Sequence, residues 1–182
     1  MYICQEDKNG IELGTADTKV LLAYNSEMKL DKLGSYDLVI SNLKLETPGM
    51  LVNSPGEYEL RGTLVNTNAA DVNSDTVHYA EIVIEGVTIF YCFPNFCFND
   101  QSYSETEDVD ILLVNSGVGS LDLQKLLNRF DPEVFIVSGD VESSTKILID
   151  AGMNTQNVQK KLKFKPEEFG NEDFVLQTYI LN

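Results

Sequence analysis

Basic residues are scarce in this chain: 13 Lys and Arg stand against 29 Asp and Glu, a formal net charge of −16. Nucleic acid and anionic membrane surfaces both call for clustered positive charge, so neither is expected as a partner. Cysteine is scarce as well. Cys4, Cys92 and Cys97 are too few, and of odd number, for a disulfide framework, so the chain is expected to be cytoplasmic with free thiols. No apolar run approaches the roughly 20 residues of a membrane span. The opening MYICQEDKNG carries charge where a signal peptide needs an apolar core. Repeats, low-complexity tracts and linker-like stretches are lacking too. What is present is ordinary for a globular protein: 43% hydrophobic and 9% aromatic residues in 182, which argues against disorder. That length gives about one domain, residues 1–182, burying roughly 70% of its unfolded surface.

Strand signals fill the first half. Lys19–Tyr24 (KVLLAY) and Tyr36–Ser41 (YDLVIS) are short apolar runs with polar or Gly boundaries, as in buried strands. Thr47-Pro48-Gly49 and Ser54-Pro55-Gly56 mark turns, with shorter strands expected at Met50–Asn53 and Tyr58–Val65. Asn66–Asp75 reads as loop. Val77–Ile84 and Val87–Phe93 form the clearest element, a hairpin turning at Glu85-Gly86. That turn pairs Ile84 with Val87, Ile82 with Ile89 and Ala80 with Tyr91. His78, Ala80, Ile82, Ile84, Val87, Ile89, Tyr91 and Phe93 then share a face that should point at the core. Tyr79, Glu81, Val83, Thr88, Phe90 and Cys92 take the other.

The period changes in the second half. Asp110–Val114 is a buried strand. A helix capped by Ser120 follows, with Leu123, Leu126, Leu127 and Phe130 at i, i+3, i+4, i+7, stopped by Asp131-Pro132. Val134–Val137 is another strand. Ser143 or Ser144 can cap a second helix carrying Ile147, Leu148 and Ala151, with Gly152 as its stop. Strand, helix, strand, helix at this spacing implies a parallel pair with a right-handed crossover. Phe174–Leu181 supplies a last strand. Antiparallel strands first and βα units after imply an α/β (α+β) chain with helices outside the sheets.

Several segments, in this order, resemble the metallo-β-lactamase superfamily, in its small branch of ascorbate-6-phosphate lactonase-like hydrolases. TKVLLAY (residues 18–24) looks like the early family strand that ends in an Asp-Pro pair. DLVISNLKLET (37–47) looks like the strand entering the metal-binding His-x-His-x-Asp-His turn. PGEYEL (55–60), followed by Gly62, is similar to a stretch found in this branch and is the most specific piece. DVDILLVNSG (108–117) and FDPEVFIVSGD (130–140) follow at near-family spacing. The resemblance implies an αββα sandwich in one compact domain. It also implies one or two transition-metal ions, held by histidines and carboxylates at strand ends, that make hydroxide available near neutral pH.

Carried over position by position, the ligands are missing. The His-x-His-x-Asp-His positions hold Asn42, Lys44, Glu46 and Thr47. Ala23 stands where the Asp closing the early strand would be. Phe93-Pro94 stands for the Gly-Asp after the hairpin, and Gly139 for the late histidine. His78 is the one histidine in the chain. Zinc needs about four donors, imidazole or thiolate as a rule. A Lys44 ammonium puts positive charge where the cation should sit.

Each remaining candidate has a sharp and a plain reading. Glu46 could hold a hard ion with other carboxylates; the plain reading is a solvated loop residue paired with Lys44. His78 could be a general base, or a satisfied residue at a strand end. A His78–Cys92 nucleophile–base pair fails because the hairpin puts the two on opposite faces. Cys92 and Cys97 lack a second pair for a zinc knuckle and should pack. Asp100, Glu105, Glu107, Asp108 and Asp110 lack calcium-loop spacing and read as a solvated face. Ser116-Gly117 and Ser138-Gly139-Asp140 end parallel strands, where open sheets place ligands. Tyr91, Phe93, Pro94, Phe96 and Phe98 pack as core or lid, or offer a partner a hydrophobic surface.

The resulting expectation is a non-catalytic metallo-β-lactamase-fold protein without cofactor or metal, acting as a cytoplasmic binding or assembly module. Its partners would be protein or further copies of the chain; a small-molecule ligand is left open. The alternative is a lactone or phosphoester hydrolase with a rebuilt site of Glu46, Asp140 and His78, with or without a hard cation such as magnesium or manganese. That alternative requires the carboxylates to converge.

Overall fold

The computed structural model describes residues 1–6, 10–24, 33–69, 76–94, 96, 108–153, 157–170 and 175–182. In chain order the strands are Tyr2–Glu6 (β1), Gly10–Gly14 (β2), Lys19–Ala23 (β3), Leu38–Ser41 (β4), Met50–Val52 (β5), Gly56–Leu60 (β6), Thr63–Asn68 (β7), Tyr79–Ile84 (β8), Val87–Cys92 (β9), Ile111–Asn115 (β10), Val134–Ser138 (β11), Val158–Gln159 (β12), Lys161–Lys163 (β13) and Gln177–Leu181 (β14). Helices run over Ser120–Phe130 (α1) and Val141–Asp150 (α2). They build one sheet ordered β13-β1-β2-β3-β4-β5 and a second ordered β12-β14-β11-β10-β9-β8-β7-β6.

Alternation along the strands makes two apolar layers from one sheet. Ile111 and Leu113 of β10, and Val134 and Ile136 of β11, face the first sheet, meeting Ile11, Leu13, Val20, Leu22, Leu38 and Ile40. Leu112, Val114, Phe135 and Val137 face the other way, onto Leu123, Leu126 and Phe130 of α1 and Ile147 and Leu148 of α2. Burial on both faces is why these segments read as unbroken apolar runs. Leu21, Ala23, Leu33, Tyr36 and Val39 close the outer face of the first sheet.

The β8–β9 hairpin has the expected register, with Ala80↔Tyr91, Ile82↔Ile89 and Ile84↔Val87. Glu85 (φ 53°) and Gly86 (φ 80°) are both left-handed, the two-residue turn whose twist matches that of the strands. The same device recurs at Arg61 (φ 49°) and Gly62 (φ 76°), and it splits the expected Tyr58–Val65 strand into β6 and β7. Asn66–Asn68 extend β7 instead of opening a loop, because they pair with β8 and the buried Thr67 hydroxyl donates to Ser54 O at 2.8 Å; residues 70–75 lie outside the described set. The β1–β2 hairpin and the short β12 and β13 had no counterpart in the sequence reading.

Strand β10 pairs in parallel with β9 and β11, and β11 with β14. Both helix starts differ from expectation. Gly119, in extended backbone, is the N-cap of α1, with Ser120 the first helical residue. Asp140 caps α2: its Oδ1 accepts from Ser143 N at 2.9 Å, which places Ser143 and Ser144 inside the helix. At the other end Gly152 (φ 78°) donates to Ile149 O at 2.9 Å and Met153 to Leu148 O at 2.8 Å, a Schellman closure. Asp131 (φ 43°) ends α1. Among the described residues no helix is long and apolar enough to cross a membrane.

The hydrogen bond from the Ser143 backbone holds the Asp140 carboxyl below its ordinary pKa, helped by the Ser143 side chain. A depressed folded pKa gives stability that is present above the unfolded value, about pH 4, and lost as pH falls through the folded one. Asp140→Ala is expected to lower the melting temperature at neutral pH. Asp140→Asn, which also caps, should restore it and flatten the acid limb of a melting-temperature profile.

Candidate functional site

Strands β3, β4, β9, β10 and β11 all end toward the edge where the resemblance places a metal. The loops there are drawn together by backbone bonds: Ser116 N donates to Ser138 O at 2.8 Å, and Gly139 N to Leu181 O at 3.2 Å. Asn115 Oδ1 accepts from Gly117 N at 3.0 Å, and the Ser138 hydroxyl donates to Val114 O at 3.3 Å. Pro94 lies against this turn, its Cβ 3.3 Å from where a side chain on Gly117 would begin.

Gly139 has φ +140°, and a Cβ there would stand 2.2 Å from Ser116 Oγ and 2.9 Å from Ser116 Cβ. The Ser116 side chain thus occupies the room that any larger residue at 139 would need. Behind it the Ser144 hydroxyl, in a fully buried residue, has no hydrogen-bond partner.

The loop after β4 is organised around its own backbone. The Ser41 hydroxyl donates to Ala23 O at 2.9 Å and accepts from Leu43 N at 3.0 Å. Ala23 itself faces the outer apolar cluster with Leu21 and Val39. Thr47 Oγ1 accepts from Gly49 N at 3.2 Å. Asn42 is half-buried, whereas Lys44 and Glu46 are exposed. Among the described residues no ion pair joins Lys44 to Glu46, so the expected pairing is not made.

Aromatic side chains fill the inter-sheet space at this edge. Tyr91 and Phe93 are fully buried and pack edge-on at 4.7 Å. Tyr24, at the end of β3, packs on the same core, and its hydroxyl accepts from Gln5 Nε2 at 2.7 Å. Burial pushes the Tyr91 phenol far above its ordinary pKa, with the Tyr24 and Cys92 side chains adding to the rise. The Tyr91 hydroxyl has no hydrogen-bond partner. Phe96 is buried too, on the helix side. The reading of this run as an exposed partner surface is therefore corrected for Tyr91, Phe93 and Phe96. Pro94 is half-buried. Phe98 lies outside the described residues.

Cys92 packs in the helix-side layer, where burial first and Asp122 second push its thiol up. A thiol held protonated is a packing residue and a poor nucleophile. His78 sits just before β8; its backbone N donates to Asn68 O at 2.9 Å and its carbonyl accepts from Phe93 N at 3.1 Å. The imidazole Nδ1 is buried without a partner, so the expected satisfied histidine is corrected at that atom. Asp110 Oδ2 accepts from Thr88 N at 2.7 Å, making it a half-buried strand anchor rather than part of a solvated face; Asp108 is exposed. Cys97, Asp100, Glu105 and Glu107 lie outside the described residues.

The donors at this edge do not fit a transition-metal centre. The carried-over positions supply one carboxylate, Glu46, and no imidazole or thiolate. Among the described residues no three His, Cys, Asp or Glu side chains are grouped to hold a metal ion, so Glu46, Asp140 and His78 do not converge. The sequence reading missed Tyr24 and the Ser116–Gly139 contact. Alternation in β3 could have pointed to the first; a loop-to-loop contact leaves no periodic signal.

An unpartnered buried hydroxyl costs about 1–3 kcal/mol. Tyr91→Phe is therefore expected to raise stability by about 1 kcal/mol in chemical denaturation, against the usual direction for losing a polar group. Gly139→Ala meets Ser116 at a left-handed φ, and should cost roughly 1–3 kcal/mol in the same measurement. Adding Ser116→Gly to Gly139→Ala should recover part of that loss.

Comparison with solved structures matches all of the chain (100% of each) to a Thermotoga maritima protein described as a candidate Zn-dependent hydrolase of the metallo-β-lactamase superfamily, at TM-score 0.71 and 11% identity. It matches 98% of the chain to 95% of the metallo-β-lactamase fold protein YhfI from Bacillus subtilis, at TM-score 0.62 and 9% identity. No protein-family model and no curated protein sequence matches the chain. The layers, the strand order and these two likenesses together establish that the chain has the metallo-β-lactamase fold.

Proposed function

We propose that this chain is a non-catalytic member of the metallo-β-lactamase superfamily, from the ascorbate-6-phosphate lactonase-like branch, that has lost its metal site and serves as a cytoplasmic binding or assembly module. PGEYEL, which becomes Pro55 and β6, is the support for the branch. The observation that carries the loss is the donor set at the strand ends. Asn42, Lys44, Glu46, Thr47, Pro94 and Gly139 stand where ligands would, and Ser116 fills the room at Gly139. Tyr91 and Phe93 pack the adjoining space.

A hydrolase rebuilt on Glu46, Asp140 and His78 finds less support. The Asp140 carboxylate is engaged at the start of α2, and Glu46 points to solvent. The deciding measurement is elemental analysis of protein purified without chelator, run beside lactone and phosphoester hydrolysis assays. Metal far below one equivalent and no turnover is the expected result. Near-stoichiometric zinc, iron or manganese together with hydrolysis would overturn the proposal.

A further inference from the structure

Among the described residues, the helix-side apolar layer reaches across the second sheet as far as Tyr79 of β8 and Phe90 of β9. Phe130, in the last turn of α1, packs on Phe90 of β9 with the rings tilted and 4.6 Å apart, and the described cluster of helix-side apolar residues includes none from β6 or β7. Two cross-strand rows continue past that point: Glu57, Asn66 and Glu81 in one, Glu59, Leu64 and Val83 in the other. Leu64 is 49% exposed and Val83 half-buried. Together with Tyr58 and Val65 they line a cavity of about 240 Å³ whose rim carries Glu57 and Glu81, with Glu59 beside Leu64 in register.

We propose that this face of β6, β7 and β8 docks a protein segment presenting one large apolar side chain flanked by Lys or Arg. The inference deepens the binding-module reading above and rests on it. Two features of the face choose this occupant. The cavity is smaller than the roughly 300–1,000 Å³ typical of small-molecule sites, and it suits a single anchoring side chain. Its apolar floor of Leu64 and Val83 calls for that anchor, and its carboxylate rim selects the flanking charge. With a chain charge of −16 behind the rim, nucleic acid and anionic lipid are repelled. A second copy is disfavoured by the same charge. The chain's own lysine-rich strand β13 could supply the cations, but the apolar residues beside them, Leu162 and Phe164, are buried in their own core.

The test uses the intact chain, ¹⁵N-labelled, titrated with the acetylated hexapeptide Lys-Lys-Gly-Phe-Lys-Lys and with its Glu-Glu-Gly-Phe-Glu-Glu counterpart. The basic peptide should shift amides of residues 57–66 and 81–83, with affinity falling as salt rises. Leu64→Ser and Glu57→Gln/Glu59→Gln, all at exposed positions, should each weaken it about fivefold or more, and the double variant should also flatten the salt response. Equal binding of the acidic peptide, shifts elsewhere, or no shifts would overturn the inference. So would concentration-dependent shifts of the same amides without peptide, which mark a second copy as the occupant. Metal content and hydrolysis measured on the same sample report separately on the non-catalytic reading. Binding at β6–β8 beside robust turnover would sink that reading and leave the docking face standing. No binding beside an inert, metal-poor protein would do the reverse.

Discussion

One turn sets the side of the sheet on which the β8 and β9 residues of the candidate site lie. Glu85 and Gly86 adopt left-handed backbone and pin β8 to β9 without slippage. Side chains alternate with a period of two, so a slip of one residue would exchange the two faces completely. With this register Tyr91 and Phe93 enter the space between the sheets, and Cys92 and Phe90 enter the layer beneath α1. The aromatic packing of Tyr91 and Phe93 at the strand-end edge and the burial of the Cys92 thiol follow from it. Glu81 and Val83 share the side of Phe90.

Much of this was legible in the chain. Burial on two faces leaves long apolar runs, and a turn with a glycine at its second position leaves a clear mark, so the central strands and the hairpin register could be read directly. The Arg61-Gly62 turn carries the same mark in a quieter setting, where alternating Glu57 and Glu59 on one side and Leu64 on the other blur into one strand. Both helix starts lie before the serines that mark them: Gly119 precedes Ser120, and Asp140, itself a strong cap, precedes Ser143 and Ser144, which have the right residue type in the wrong place. Strands β1 and β2 escaped because Glu6, Glu12 and two glycines break their apolar pattern.

The candidate site was legible by subtraction alone. Missing imidazoles are countable in a sequence; what stands in their place is not. The Ser41 hydroxyl tied to Ala23 O and the Pro94 ring against Gly117 are contacts between segments far apart in the chain. No periodicity announces them. The same holds for the Tyr91 hydroxyl and the His78 Nδ1, polar atoms kept out of water with nothing to bond. They lie on neighbouring positions of one hairpin face, at the edge where the resemblance places the metal.

The contact between Ser116 and Gly139 makes the two positions interdependent. An imidazole introduced at 139 by a single codon change would collide with a side chain anchored on the neighbouring loop, in a backbone geometry that only glycine tolerates well. Ser116 would have to shrink first, and by itself that change opens a void with no compensating gain. A larger residue at 139 therefore depends on a change at 116. Two loops from successive strand–helix units are thereby coupled, and what either position can hold is set by the side chain at the other.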